Sequence, residues 1–185
     1  RVHPLGLTNP ERTARLIDSL TGLDGARWAS TWREAGLEQM AAAQVSLARG
    51  DNSLARQAFF EAYGLFFLGR FPCPNHPDKL ECYRLERQAY VAAGALLESP
   101  LERVVLPFEG REGEGREVVF YVRRPKGVTR PQVVVMWGGV DAWKEEMTEL
   151  SEQLLSEGLA TVAMDNVGTG ESPVVAVPDA ERQFL

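Results

Sequence analysis

The sequence predicts an α/β protein in which a helical, lid-like segment is followed by the first strands of a sheet. Three observations predict it. From residue 9 to about residue 97 the apolar positions return at helical spacing. From Glu102 onward they gather into short β-rich runs separated by Gly and Pro. Within that second stretch the order strand, helix, strand is that of a parallel crossover. The change of pattern falls near Ser99-Pro100, which divides the chain into residues 1–99 and residues 100–185.

In the first part, Asn9-Pro10-Glu11 places a capping side chain before a proline at the first helical position, and opens a short helix ending near Gly22. A second helix over residues 26–48 brings Trp28, Trp32, Met40, Ala43 and Leu47 to one face and stops at Gly50. Asp51 caps a third, whose Leu54, Ala58, Ala62, Leu65 and Phe66 form a second apolar stripe, so the two helices form an antiparallel hairpin. The Pro-rich FPCPNHPDK loop leads to a fourth helix over residues 79–97, and the four together offer a surface suited to a lid or to a homodimer. The hairpin itself is similar to a tetratricopeptide unit, which raises the alternative of a non-catalytic, peptide-binding interaction module. No second copy follows at a fixed period, and such arrays need about three repeats to bury a continuous core.

In the second part, ERVVLPFEG and REVVFYVRRP read as an antiparallel hairpin around the GREGEGR turn. PQVVVMWGG is an unbroken apolar run expected of a central strand buried on both faces. A helix over residues 142–156 follows, with Met147, Leu150, Leu154 and Leu155 turned inward, and then the strand GLATVAMD. A right-handed crossover through that helix puts both strands' carboxyl ends on one edge, where function gathers in open sheets.

The composition is that of a folded protein in water, with 44% hydrophobic and 25% charged residues. The formal charge of -6 is interspersed along the chain, which excludes the clustered cations of a nucleic-acid partner. No apolar run is long enough to span a membrane, and the first residues lack a secretory core, so a cytoplasmic protein is expected. Arg1 in place of Met, and a final DAERQFL that reads as the opening turn of a helix, suggest that both ends are cuts. Cys73, His76 and Cys82 lack the paired spacing of a zinc site, and neither a metal nor a cofactor is expected. The GTGES stretch lacks the third glycine of a dinucleotide loop.

Two Gly-containing loops leave the carboxyl edge: WGGVDAWKEE and DNVGTGES. Asp165, Gly168, Gly170 and Ser172 resemble the DxxGxGxS turn after the fourth strand of α/β-hydrolases. From about residue 63 to residue 179, the FP-containing loop, LPFEG, VVVMWGGVDAWKEE and MDNVGTGES together resemble the FrsA-like esterase group. That group includes 2,6-dihydroxypseudooxynicotine hydrolase and fungal polyketide-shortening hydrolases, some of which break carbon-carbon bonds.

The resemblance implies an α/β-hydrolase sheet cut before its nucleophile elbow, and an oxyanion-hole donor from the loop that begins at Gly138, namely Gly139 or Val140. A bare backbone can bring N–H groups within about 3 Å of a developing oxyanion. The same glycines also serve a tight strand-to-helix turn, and both readings stand. Gly138, Asp141, Asp165, Gly168 and Gly170 are expected at the pocket edge. Asp165 is expected to accept hydrogen bonds from the backbone of its own turn rather than to act as a triad acid, and Asp141 and Lys144 are expected as a helix cap and part of a solvated face. No GxSxG occurs, so nucleophile, acid and histidine are expected beyond Leu185. The expected function is serine-dependent hydrolysis of an ester, a lactone or a carbon-carbon bond in a ketone-type small molecule, with this fragment inactive alone. An open sheet edge implies a partner: the remainder of the same polypeptide or a second chain.

Overall fold

The computed structural model describes residues 3–22, 24–176 and 178–184. They form two compact units, one running to Leu97 and the other from Glu98 onward.

The first unit is built from α1 (Pro10–Ser19), α2 (Gly25–Ala48), α3 (Asn52–Arg70) and α4 (Pro77–Gly94). Asn9 caps α1 by accepting the Arg12 N–H at 2.9 Å, and Asp51 caps α3 by accepting the Leu54 N–H at 3.1 Å. Between α2 and α3 the chain reverses at Gly50, whose φ of 79° is open to a residue without a side chain. There the Gly50 N–H donates to the Leu47 carbonyl and the Asp51 N–H to that of Ser46, the paired bonds that close a helix around a left-handed residue. The hairpin then buries Trp32, Ala35 and Leu65 in one cluster and Ala43, Ala55, Phe59 and Ala93 in another. Gly36 allows the close crossing, because a Cβ there would lie 2.4 Å from the Phe66 ring. Leu47 and Leu54, expected on the buried stripes, are exposed. They lie in the last turn of α2 and the first turn of α3, flanking the reversal.

The second unit is a four-stranded mixed sheet of β1 (Glu102–Pro107), β2 (Glu117–Arg123), β3 (Val133–Trp137) and β4 (Ala160–Met164), in the order β1-β2-β4-β3. β1 and β2 pair antiparallel with Val104 opposite Phe120, β2 and β4 pair antiparallel with Tyr121 opposite Ala163, and β3 and β4 pair parallel with Val135 opposite Val162. The parallel pair is joined through α5 (Thr148–Ser156). β4 is buried, as its apolar run predicts, whereas β3 departs from expectation. It is an edge strand, and Val133, Val135 and Trp137 are all at least half exposed on one face. Among the described residues only β4 pairs with it, so a strand whose composition suits burial on both faces has one face and one edge uncovered.

The helix expected from residue 142 begins later. Ala142 and Trp143 remain in the loop, a 3-10 turn spans Lys144–Met147, and α5 follows, with Leu150 exposed rather than inward. Trp143 is extended (φ -104°, ψ 174°), which delays the helical turn. At the end of the chain Ala180–Phe184 forms a 3-10 turn, and Leu185, the last residue of the expected helical opening, lies outside the described residues.

Candidate active-site edge

Both Gly-containing loops leave the carboxyl ends of the parallel strands β3 and β4. The 138–143 loop folds back so tightly on β3 that a Cβ on Gly138 would lie 1.7 Å from the Ala142 carbonyl oxygen, and glycine is required there for packing. Gly139 has open space around it, its nearest neighbour being Asp141 Oδ1 at 3.8 Å from a Cβ position. Val140 projects outward, 81% exposed, while its carbonyl accepts the Trp143 indole N–H at 3.0 Å. Among the described residues neither the Gly139 nor the Val140 N–H meets a protein acceptor. Asp141 caps no helix. The turn starts two residues later, where the Trp143 N–H is received by the Glu146 carboxylate at 3.1 Å.

Lys144 overturns the solvated-face expectation. It has no exposed surface, and its Nζ lies 2.6 Å from Asp165 Oδ2, 2.9 Å from Glu171 Oε2 and 3.0 Å from Glu145 Oε1, with the Tyr121 ring centroid 5.0 Å away. Burial opposes the lysine's charge, but the carboxylates of Glu145, Asp165 and Glu171 outweigh it and hold the ammonium above the ordinary lysine range. Glu145 is equally enclosed. Its Oε1 also receives the Tyr121 hydroxyl at 3.0 Å, and burial pushes its carboxyl above the ordinary range against the attraction of Lys144.

Asp165, at the end of β4, accepts the Lys144 backbone N–H at 2.9 Å on one oxygen, and the Lys144 ammonium and the Glu171 N–H at 2.8 Å on the other. It does accept a backbone N–H from its own turn, and it also ties that turn to the neighbouring loop. Gly170 (φ 51°) closes over this carboxylate, where a Cβ would stand 2.2 Å from Asp165 Oδ2, and Gly168 (φ 72°) turns the chain towards Ala176. Ser172 Oγ accepts the Gly168 and Val174 N–H groups, each at 3.2 Å. Gln183 donates to the Asp165 carbonyl at 2.8 Å.

The fold therefore brings Gly138, Gly139, Val140, Asp141, Asp165, Gly168 and Gly170 to one edge. It adds Glu145, Glu171 and Tyr121, which the sequence reading did not single out, and Lys144, which it placed on a solvated face. No local pattern marked Lys144, since positions 144, 148 and 151 at helical spacing are Lys, Thr and Ser and form no apolar stripe. Among the described residues no group of His, Cys, Asp or Glu side chains is arranged to hold a metal ion. No helix among them is long and apolar enough to cross a membrane.

The family model for FrsA-like esterases matches residues 6–177, spanning the helical part and the sheet alike. The chain belongs to the FrsA-like esterase family. Its relatives include a protein described as 2,6-dihydropseudooxynicotine hydrolase from Paenarthrobacter nicotinovorans, 34% identical over 84 residues, 45% of this chain and 22% of the relative. Esterase FrsA of Shigella sonnei (strain Ss046) is 25% identical over 169 residues, 90% of this chain and 39% of the relative. Among solved structures, that of the 2,6-dihydroxy-pseudo-oxynicotine hydrolase superposes with a TM-score of 0.74 at 24% identity, over 91% of this chain and 46% of that one. AbyA5 wild type follows with a TM-score of 0.66 at 21% identity, over 95% and 45%. These superpositions show the α/β-hydrolase fold. The chain spans two fifths or less of these two relatives, and under half of the two solved structures. A family match that runs through both parts of the chain disfavours the free-standing peptide-binding module.

Proposed function

We propose that this chain supplies the oxyanion-hole loop of a serine-dependent hydrolase whose nucleophile, acid and histidine lie beyond Leu185, acting in the cytoplasm on an ester, a lactone or a carbon-carbon bond of a ketone-type small molecule. The observation that carries the reading is the pair of N–H groups at Gly139 and Val140, without protein acceptors among the described residues, on a loop at the carboxyl end of β3. Attack of a serine oxygen on a substrate carbonyl places negative charge on the former carbonyl oxygen. Preorganised N–H donors at about 2.7–3.1 Å stabilise that charge more than they stabilise the ground state, so they lower the barrier. The same stabilisation serves ester cleavage and hydrolytic cleavage of a carbon-carbon bond next to a ketone, since both pass through a tetrahedral oxyanion. The hydrolase names of the relatives support this class.

The uncovered β3 supports the remainder of the same polypeptide as the partner that completes the sheet, with Val133, Val135 and Trp137 as the surface it covers. The test is labelling with a fluorophosphonate serine probe. The full-length polypeptide takes up one equivalent on a serine beyond Leu185, and residues 1–185 alone take up none and hydrolyse no nitrophenyl ester. Saturable hydrolysis by residues 1–185 alone, or a full-length protein inert to the probe, overturns the reading.

A further inference from the structure

We propose that Lys144 and Asp165 are positioning residues, whose buried pair fixes the 138–143 loop so that the Gly139 and Val140 N–H groups are held for an oxyanion; this rests on the oxyanion assignment above. The loop has two anchors. At its start Gly138 continues β3 and lies against the Ala142 carbonyl. At its end Lys144 is bound to Asp165 twice, through its backbone N–H at 2.9 Å and its ammonium at 2.6 Å. Two-point attachment of one residue to a carboxylate leaves neither its backbone nor its side chain free to rotate. Between the anchors the loop projects outward, with Val140 81% exposed and its own N–H without a protein acceptor among the described residues. The direction of those donors is therefore inherited from the anchors.

The choice of a charged anchor is itself informative. An apolar contact at this place would give comparable stability, because a buried ion pair gains little net free energy after desolvation. It would not fix an orientation. Asp165 is the first residue after β4, so the clamp refers the loop to the strand parallel to β3, the most buried strand of the sheet. Glu171 and Glu145 complete the ammonium's coordination, and the Glu171 N–H binds the same Asp165 oxygen, which joins the second Gly-containing loop to the first.

A residue with this role affects the transition state through the donors it orients, and leaves ground-state binding largely alone. In the full-length polypeptide, hydrolysis of a nitrophenyl ester is compared for the parent, Asp165→Asn and Lys144→Arg, with Gly139→Pro and Val140→Pro deleting the donors directly. Asp165→Asn keeps the shape of the anchor without its charge. Lys144→Arg keeps the charge balance of the cluster but moves the donors, so it decides the matter where Asp165→Asn folds poorly.

Both anchor variants are expected to lower kcat by about 10- to 100-fold with KM within about threefold, and with a native circular dichroism spectrum. A folded anchor variant with kcat within about threefold of the parent, or with KM carrying the whole loss, overturns the positioning role. If the proline variants lose kcat and the anchor variants do not, the oxyanion assignment stands and only the positioning role falls. If neither proline variant loses kcat, the oxyanion assignment fails and the positioning role fails with it.

Discussion

Around the Lys144 ammonium stand three carboxyl groups, all buried or nearly so, and with Arg103 pairing Glu171 at 3.0 Å, two positive charges face three negative ones. Burial, opposed by the Lys144 ammonium, raises the Glu145 carboxyl above its ordinary value. A carboxyl with a raised folded-state pKa binds its proton more tightly folded than unfolded, so its contribution to stability is fully present below about pH 4.5, the unfolded value. That contribution is lost as pH climbs through the folded value. Glu145→Gln, which keeps the hydrogen-bonding shape without the ionisation, is expected to flatten this part of the pH dependence. Urea unfolding midpoints measured from about pH 4.5 upward check it: as pH rises the parent weakens more than the variant does.

At the scale of the elements, the α2–α3 hairpin is held by the close approach of two backbones. Gly36 faces the Phe66 ring, which has no exposed surface, and Leu65 beside it lies against Trp32. Adding one methyl group at Gly36 improves local helix propensity by about 0.8–1 kcal/mol. It also forces a ring that a Cβ would approach to 2.4 Å, and overpacking of this kind costs about 1–3 kcal/mol. Overpacking is the larger effect, so Gly36→Ala is expected to lower the thermal midpoint, and a variant as stable as the parent in differential scanning calorimetry would show that Phe66 can yield. Elsewhere in this unit Cys82 carries no chemistry: burial pushes its thiol up to about 12, where almost no thiolate exists at neutral pH.

For the whole molecule, the consequence of the strand order is the uncovered side of β3. Trp137 and Phe184, their rings tilted at 40° with centroids 5.9 Å apart, line an open apolar depression of about 390 Å³, to which Phe120, Val135 and Met164 contribute. An exposed apolar strand edge is a template for pairing with another chain. Residues 1–185 in isolation are expected to self-associate, and Val135→Lys to suppress this, as read by sedimentation velocity over a range of concentrations. A monomer at all concentrations for the unsubstituted chain would mean that the edge is covered some other way.

What the sequence determined by itself were the features that depend on near neighbours: helix periodicity, the caps at Asn9 and Asp51, the reversal at Gly50, the antiparallel β1–β2 hairpin and the DxxGxGxS turn whose motif pointed to the family. Each is a matter of a few consecutive residues and their backbone preferences. The tertiary structure decided what depends on residues far apart in the chain. Strand order set β3 at the edge, although its composition is that of a central strand, because burial is conferred by neighbours and not by the strand itself. Lys144 looks in sequence like any surface lysine, and became the best-enclosed charge of the second unit only when Asp165 and Glu171, some two dozen residues on, closed around it. Desolvation makes such a charge costly unless counter-charges arrive from elsewhere, and only folding brings them.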